Sequence, residues 1–155
     1  MDKSELRARL KKYLDEVKYY YTDGAGGESF KIPFAPEKLR NFGELTMHLF
    51  PRDDGISCYC FLPIKAKSND YGKVSELIVR LQHSFLTGGF QLDFQDGTIF
   101  FWLFTPGQLI EANGKSAFDR LLRVPYNETV CLFDAFVDVL VRGVSPEEAV
   151  KKIEG

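Results

Sequence analysis

No hydrophobic run in the chain approaches the ~18 residues that a membrane-spanning helix requires. The opening segment Met1-Asp2-Lys3-Ser4-Glu5-Leu6-Arg7 also has no apolar stretch of the kind a secretory signal carries. A cytoplasmic protein is therefore expected, with no membrane partner. Cysteine is scarce: Cys58, Cys60 and Cys131 are odd in number and lack a secretory context, which argues against a disulfide framework. Histidine is scarcer still. His48 and His83 lie far apart, and neither has a neighbouring His or Cys, so metal-ligand spacing is missing and no metal or other cofactor is expected. Neither sign of charge dominates, with 20 Lys and Arg against 22 Asp and Glu, a net charge of -2 and a pI of about 5.7. No global positive field is present to draw in nucleic acid. The G-x-S-x-G, H-E-x-x-H, P-loop and C-x-x-C patterns are all absent, so a non-enzyme is expected.

What the chain does have is aromatic area. Fourteen Phe, seven Tyr and one Trp make up 14% of 155 residues, which suits a modest domain that also buries surface against a partner. The length fits a single domain over residues 1–155 with one core.

Apolar spacing places amphipathic helices in three regions. Leu6, Leu10, Leu14 and Val17 define one over Ser4 to Tyr21, with Asp2 or Ser4 as cap. Its basic residues are mixed with acids, as on a solvated face. Val74, Leu77, Ile78, Leu81 and Phe85 define a central helix over Tyr71 to Leu86, ended by Gly88-Gly89. Ser116 to Arg123 reads as a short helix closed by Pro125, followed by a helix from Asn127 to Arg142. Ser145-Pro146-Glu147-Glu148 then starts one more short helix.

Extended segments fall between them. Phe30 to Phe34 carries Pro33 and is confined to an edge. Leu45 to Phe50 alternates, with Leu45, Met47 and Leu49 on one face and Thr46, His48 and Phe50 on the other. Pro51-Arg52-Asp53-Asp54-Gly55 turns this strand into Ile56 to Pro63, and there Asp53 and Asp54 read as turn formers rather than a catalytic pair. The glycine cluster Asp23 to Gly27 reads as a flexible connector, because it lacks the strand and helix that flank a phosphate-binding loop.

The strongest hairpin signal is Asp96-Gly97, between Phe90 to Phe94 and Thr98 to Thr105. A two-residue loop would pair Phe94 with Ile99, Leu92 with Phe101 and Phe90 with Leu103 on a wholly apolar face. The opposite face would then pair Asp93 with Phe100, Gln91 with Trp102 and Gly89 with Phe104. Three large rings on that side need cover, either from the molecule's own first or last helix or from a partner. Phe100, Trp102 and Phe104 are accordingly the candidate protein-binding residues. A stacking platform for single-stranded nucleic acid is the weaker reading, given Asp93 and Asp96 beside the rings.

The order helix, hairpin, helix, hairpin, helix resembles the YbjN-like bacterial family, whose fold is similar to that of type III secretion chaperones. The resemblance is carried by Gly88-Gly89-Phe90-Gln91-Leu92-Asp93-Phe94-Gln95-Asp96-Gly97-Thr98-Ile99 and by the closing Gly143-Val144-Ser145-Pro146-Glu147-Glu148-Ala149. It extends loosely from Leu45 onward. That family is described as sensory transduction regulators, and the chaperone branch of the fold binds unfolded segments of secreted proteins and commonly dimerises. The resemblance implies protein partners and no catalytic residues. The weak acidity and the extra stretch Pro106 to Asn127 depart from a secretion chaperone.

The expected architecture is α+β and type III secretion chaperone-like. It has an antiparallel sheet of about five strands, made of two hairpins and an edge segment, packed with N-terminal, central and C-terminal helices. The expected function is a non-enzymatic, chaperone-like protein-binding or regulatory module acting as a homodimer and on an unidentified protein. The alternative is an enzyme or small-ligand binder with a pocket between sheet and helix, lined by His48 or His83 and carboxylates.

Overall fold

The computed structural model describes residues 1–154. They form an α+β fold around one antiparallel sheet of six strands: β1 (Thr22–Asp23), β2 (Phe30–Phe34), β3 (Leu45–Pro51), β4 (Gly55–Lys65), β5 (Gly89–Leu92) and β6 (Thr98–Pro106). Their spatial order is β1-β2-β3-β4-β6-β5. The strand beyond the five expected is β1, where part of the supposed connector pairs Thr22 with Lys31 and Asp23 with Phe30. Arg7 fixes it there, donating to the Asp23 carboxylate (3.1 Å) and the Gly27 carbonyl (2.9 Å).

Helix α1 (Lys3–Glu16) starts where the Asp2 carboxylate accepts from the Glu5 amide at 2.9 Å. It stops five residues before the expected end at Tyr21. Lys18 takes a left-handed φ of 62° and the Tyr19 amide donates back to the Leu14 carbonyl, a termination usually reserved for glycine. Helix α2 (Tyr71–Gln82) likewise ends before Leu86.

Helices α3 (Gly107–Asn113), α4 (Lys115–Leu140) and α5 (Pro146–Glu154) follow β6 directly. Pro125 does not separate two helices; it sits inside the 26-residue α4. An internal proline forfeits one backbone hydrogen bond and costs about 3 kcal/mol. Pro125 is itself buried, flanked along α4 by buried Leu121, Leu122 and Thr129, so tertiary packing offsets the local penalty. Ser145 caps α5 as its sequence predicts, accepting from the Glu148 amide at 3.2 Å.

One face of the sheet holds the core. Phe30, Ile32, Leu45, Met47, Leu49, Ile56, Cys58, Cys60, Ile99, Phe101 and Leu103 are all at or below 1% exposed. Against them lie Leu6, Leu10 and Leu14 of α1, Val74 and Leu77 of α2, and Leu121, Phe133 and Phe136 of α4. The alternation of buried and part-exposed positions along β3 and β6 means that the helices serve this face alone. No described helix is long and apolar enough to cross a membrane.

Candidate functional site

The hairpin that carries Phe100, Trp102 and Phe104 is shifted from its expected register. Leu92 pairs with Ile99, Gln91 with Phe100, Phe90 with Phe101 and Gly89 with Trp102, a slip of two residues. The cause lies in the loop. The Asp93 carboxylate accepts from the Gln95 amide (2.8 Å), the Asp96 carboxylate from the Thr98 amide (2.9 Å), and the Asp93 carbonyl from the Gly97 amide (2.8 Å). These bonds favour a wider turn, Phe94 to Gly97, over the two-residue bend. Gly97 has φ 78°, and a Cβ there would stand 2.0 Å from the Ala66 carbonyl oxygen, so the turn is also pressed against the end of β4. Phe94 consequently leaves the apolar face, stacking on Tyr71 at 5.4 Å while 65% exposed.

A slip of two preserves which face each side chain occupies, because strand side chains alternate with period two. Phe100, Trp102 and Phe104 therefore stand opposite the core, each part-exposed between buried neighbours. They do not stand alone. Across β4 the partners are Phe61 for Phe100, Tyr59 for Trp102 and Ser57 for Phe104. Across β3 they continue as Thr46 beside Phe61, His48 beside Tyr59 and Phe50 beside Ser57. Five of the rings form a connected layer: Phe61 lies 5.3 Å from Phe100 and 4.9 Å from His48, and Tyr59 lies 5.6 Å from both Phe100 and Phe50.

His48, Phe50, Tyr59 and Phe61 were not among the protein-binding residues expected from the sequence. The signal was present in the alternation of both strands of the first hairpin, and it becomes a surface only once β4 is known to pair with β6. Sequence alternation does not give that non-local pairing.

The rim of this face is polar and of mixed sign. The Arg52 guanidinium donates to Ser57 Oγ (3.0 Å) and Tyr59 Oη (3.1 Å) and lies 5.8 Å over the Phe50 ring. With Asp54, Tyr59, Trp102 and Phe104 it lines a shallow depression of about 500 Å³. At the far end Lys65 pairs with Thr98 and adds to the forces that hold the Asp96 carboxyl below its ordinary range, led by the Thr98 hydrogen bond. Burial, aided by the nearby Lys31 charge, lowers the His48 pKa, so the imidazole is neutral at pH 7.

A second concavity of about 480 Å³ lies between α1, β2 and α4, lined by Tyr13, Phe34, Asp119, Arg123 and Tyr126 among others. This is a pocket between sheet and helix, but neither His48 nor His83 lines it. Burial pushes the Cys58 thiol well up and that of Cys60 to about 12, leaving both protonated. Among the described residues no group of three or more His, Cys, Asp or Glu is arranged to hold a metal ion. No family model, curated protein or solved structure matches the chain.

Proposed function

We propose that this protein is a non-enzymatic protein-binding or regulatory module that acts as a homodimer through the uncovered face of its sheet. The observation that carries the reading is the set of seven rings, His48, Phe50, Tyr59, Phe61, Phe100, Trp102 and Phe104, left part-exposed on one face of a sheet whose other face holds the core. An apolar surface of this extent in water favours association. Aromatic residues with an arginine beside them are also the side chains enriched where proteins bind each other.

A second copy is the first occupant we assign. Five strands, β2 to β6, at about 4.8 Å spacing, averaging about seven residues at about 3.3 Å per residue, give a platform of roughly 24 by 23 Å. Its corrugated surface is of the order of the ~800 Å² per partner found in standard interfaces. Arg52 beside Asp54 at one end and Lys65 beside Asp96 at the other make a rim of both signs, which can pair with itself about a two-fold axis. The same mixture disfavours a nucleic-acid platform, which needs a basic track along the rings. The resemblance to the YbjN-like family and its chaperone-like fold points the same way, toward protein partners and cytoplasmic regulation.

Sedimentation of the wild-type chain and of the double variant Trp102→Ala, Phe104→Ala tests the proposal. A wild-type dimer at micromolar concentration and a folded monomeric variant are expected, with native circular dichroism in both. A wild-type monomer throughout that range, or a variant that remains dimeric, would overturn it.

A further inference from the structure

We propose that the cleft between α1, β2 and α4 binds a small planar aromatic carboxylate. This site is separate from the ring-bearing sheet face and does not depend on it.

The walls come from a local accident of the chain. The left-handed turn at Lys18 ends α1 early and brings Tyr19 edge-on to Phe34, with ring centroids 5.9 Å apart. Phe34 in turn lies 5.0 Å from Tyr126 of α4. On the other side Tyr13 stacks on Phe118 at 5.1 Å and is only 5% exposed. The rings thus brace one another, and a cleft of about 480 Å³ between them falls within the ~300–1,000 Å³ typical of small-molecule sites. Aromatic walls favour a flat ring, which can add edge-to-face or offset contacts to the existing series.

The polar groups select the charge. Asp119 is already engaged, accepting from Tyr13 Oη at 2.6 Å and from Lys115 Nζ at 2.9 Å. Both carboxylate oxygens are therefore matched, and the Tyr13 hydroxyl is committed as a donor. Its pKa is raised by burial first and by Asp119 second, so it remains protonated and cannot serve as a base. Arg123, one helical turn beyond Asp119, lines the same cleft. It forms no salt bridge among the described residues. Its guanidinium is exposed, and its charge helps hold the neighbouring Asp119 carboxyl down, after the Tyr13 and Lys115 hydrogen bonds; with no carboxylate in ion-pair contact, the planar group suits a ligand carboxylate, which accepts two parallel hydrogen bonds. A phosphate dianion, with one more negative charge, would need further cations.

Calorimetric or ligand-observed NMR titration of the full chain with benzoate, phenylacetate and indole-3-acetate, each against its neutral amide, tests this. At least one acid is expected to saturate in the millimolar range or tighter, with its amide about ten-fold weaker for want of the charge-assisted pair. Arg123→Gln should erase the preference for the acid, and Tyr126→Ala should weaken acid and amide alike. Trp102→Ala, on the other face of the sheet, should change neither. The proposal fails if no acid saturates below ~10 mM, if acid and amide bind equally, if Arg123→Gln keeps the preference, or if Trp102→Ala abolishes binding.

Discussion

The two faces of the central strands both carry large apolar groups, yet they are built from different side chains. On the covered face β3 and β4 present Leu45, Met47, Leu49, Ile56, Cys58 and Cys60, all at 0% exposed. On the open face the same strands present Thr46, His48, Phe50, Ser57, Tyr59 and Phe61. Slender aliphatic and thiol side chains interdigitate with helices and leave no voids. Wide rings, several with a polar tip, cover one another and still keep an edge in water. The contrast separates a face shaped for helices from one shaped for something flat.

The sharpest way to break this comparison is to remove one ring from each side of β6. Phe101 is fully buried and packs edge-on against Phe85 at 5.3 Å and Phe90 at 5.1 Å. Phe101→Ala should lower unfolding free energy by about 3–5 kcal/mol in a urea titration. Trp102→Ala, its immediate neighbour, should cost the monomer only on the order of 1 kcal/mol. Equal losses at the two positions would mean that the open face is as much core as the covered one.

Gly97 helps fix the register of the β5–β6 hairpin that carries three of the rings, so its replacement sharpens the comparison next. Gly97→Ala combines a φ of 78° with a clash against the Ala66 carbonyl, whereas Gly26, at φ 76°, has nothing within 4 Å of its Cβ position. Thermal denaturation should show a loss of about 1–3 kcal/mol at Gly97. A smaller loss, from backbone strain alone, is expected for Gly26→Ala. Similar losses would show that the turn is not pressed onto β4.

A smaller effect is expected within the ring layer itself. A double-mutant cycle of Phe61→Ala and Phe100→Ala, measured on the stability of the monomer, should return a coupling of about 0.5–1.5 kcal/mol. Zero coupling would mean that the rings are neighbours without being a layer.

Much of this arrangement was legible in the chain because strand periodicity is a local property. Alternation in Leu45 to Phe50 and in Thr98 to Thr105 assigned each residue to the correct face, and the two-residue slip at Asp96-Gly97 left that assignment intact. Loop capping by Asp93 and Asp96 was less legible, since the same residues suit both a tight bend and a wider one. Pro125 misled for a different reason: its local penalty is real, and the packing that offsets it is tertiary. The early end of α1 at Lys18 has no sequence signal, because a left-handed lysine carries none, and the aromatic cleft that depends on it was equally hidden.

His48 offers the mildest and most specific test of what the open face does. Its folded-state pKa lies below the ordinary value of about 6.5, first through burial and then through Lys31. The unfolded chain therefore binds more protons in the window between the two values, and stability rises with pH there. The contribution is fully present above about pH 6.5 and is lost as pH falls through the folded value. A partner laid on this face would remove more water from the imidazole, lower its pKa further and make association acid-sensitive. Sedimentation at about pH 7.5 and about pH 5.5 should show a weaker dimer at the lower value. His48→Phe, which keeps a ring between Phe50 and Phe61 without a titrating group, should flatten the dependence. If the wild-type dimer holds equally at both values, His48 is not beneath the interface.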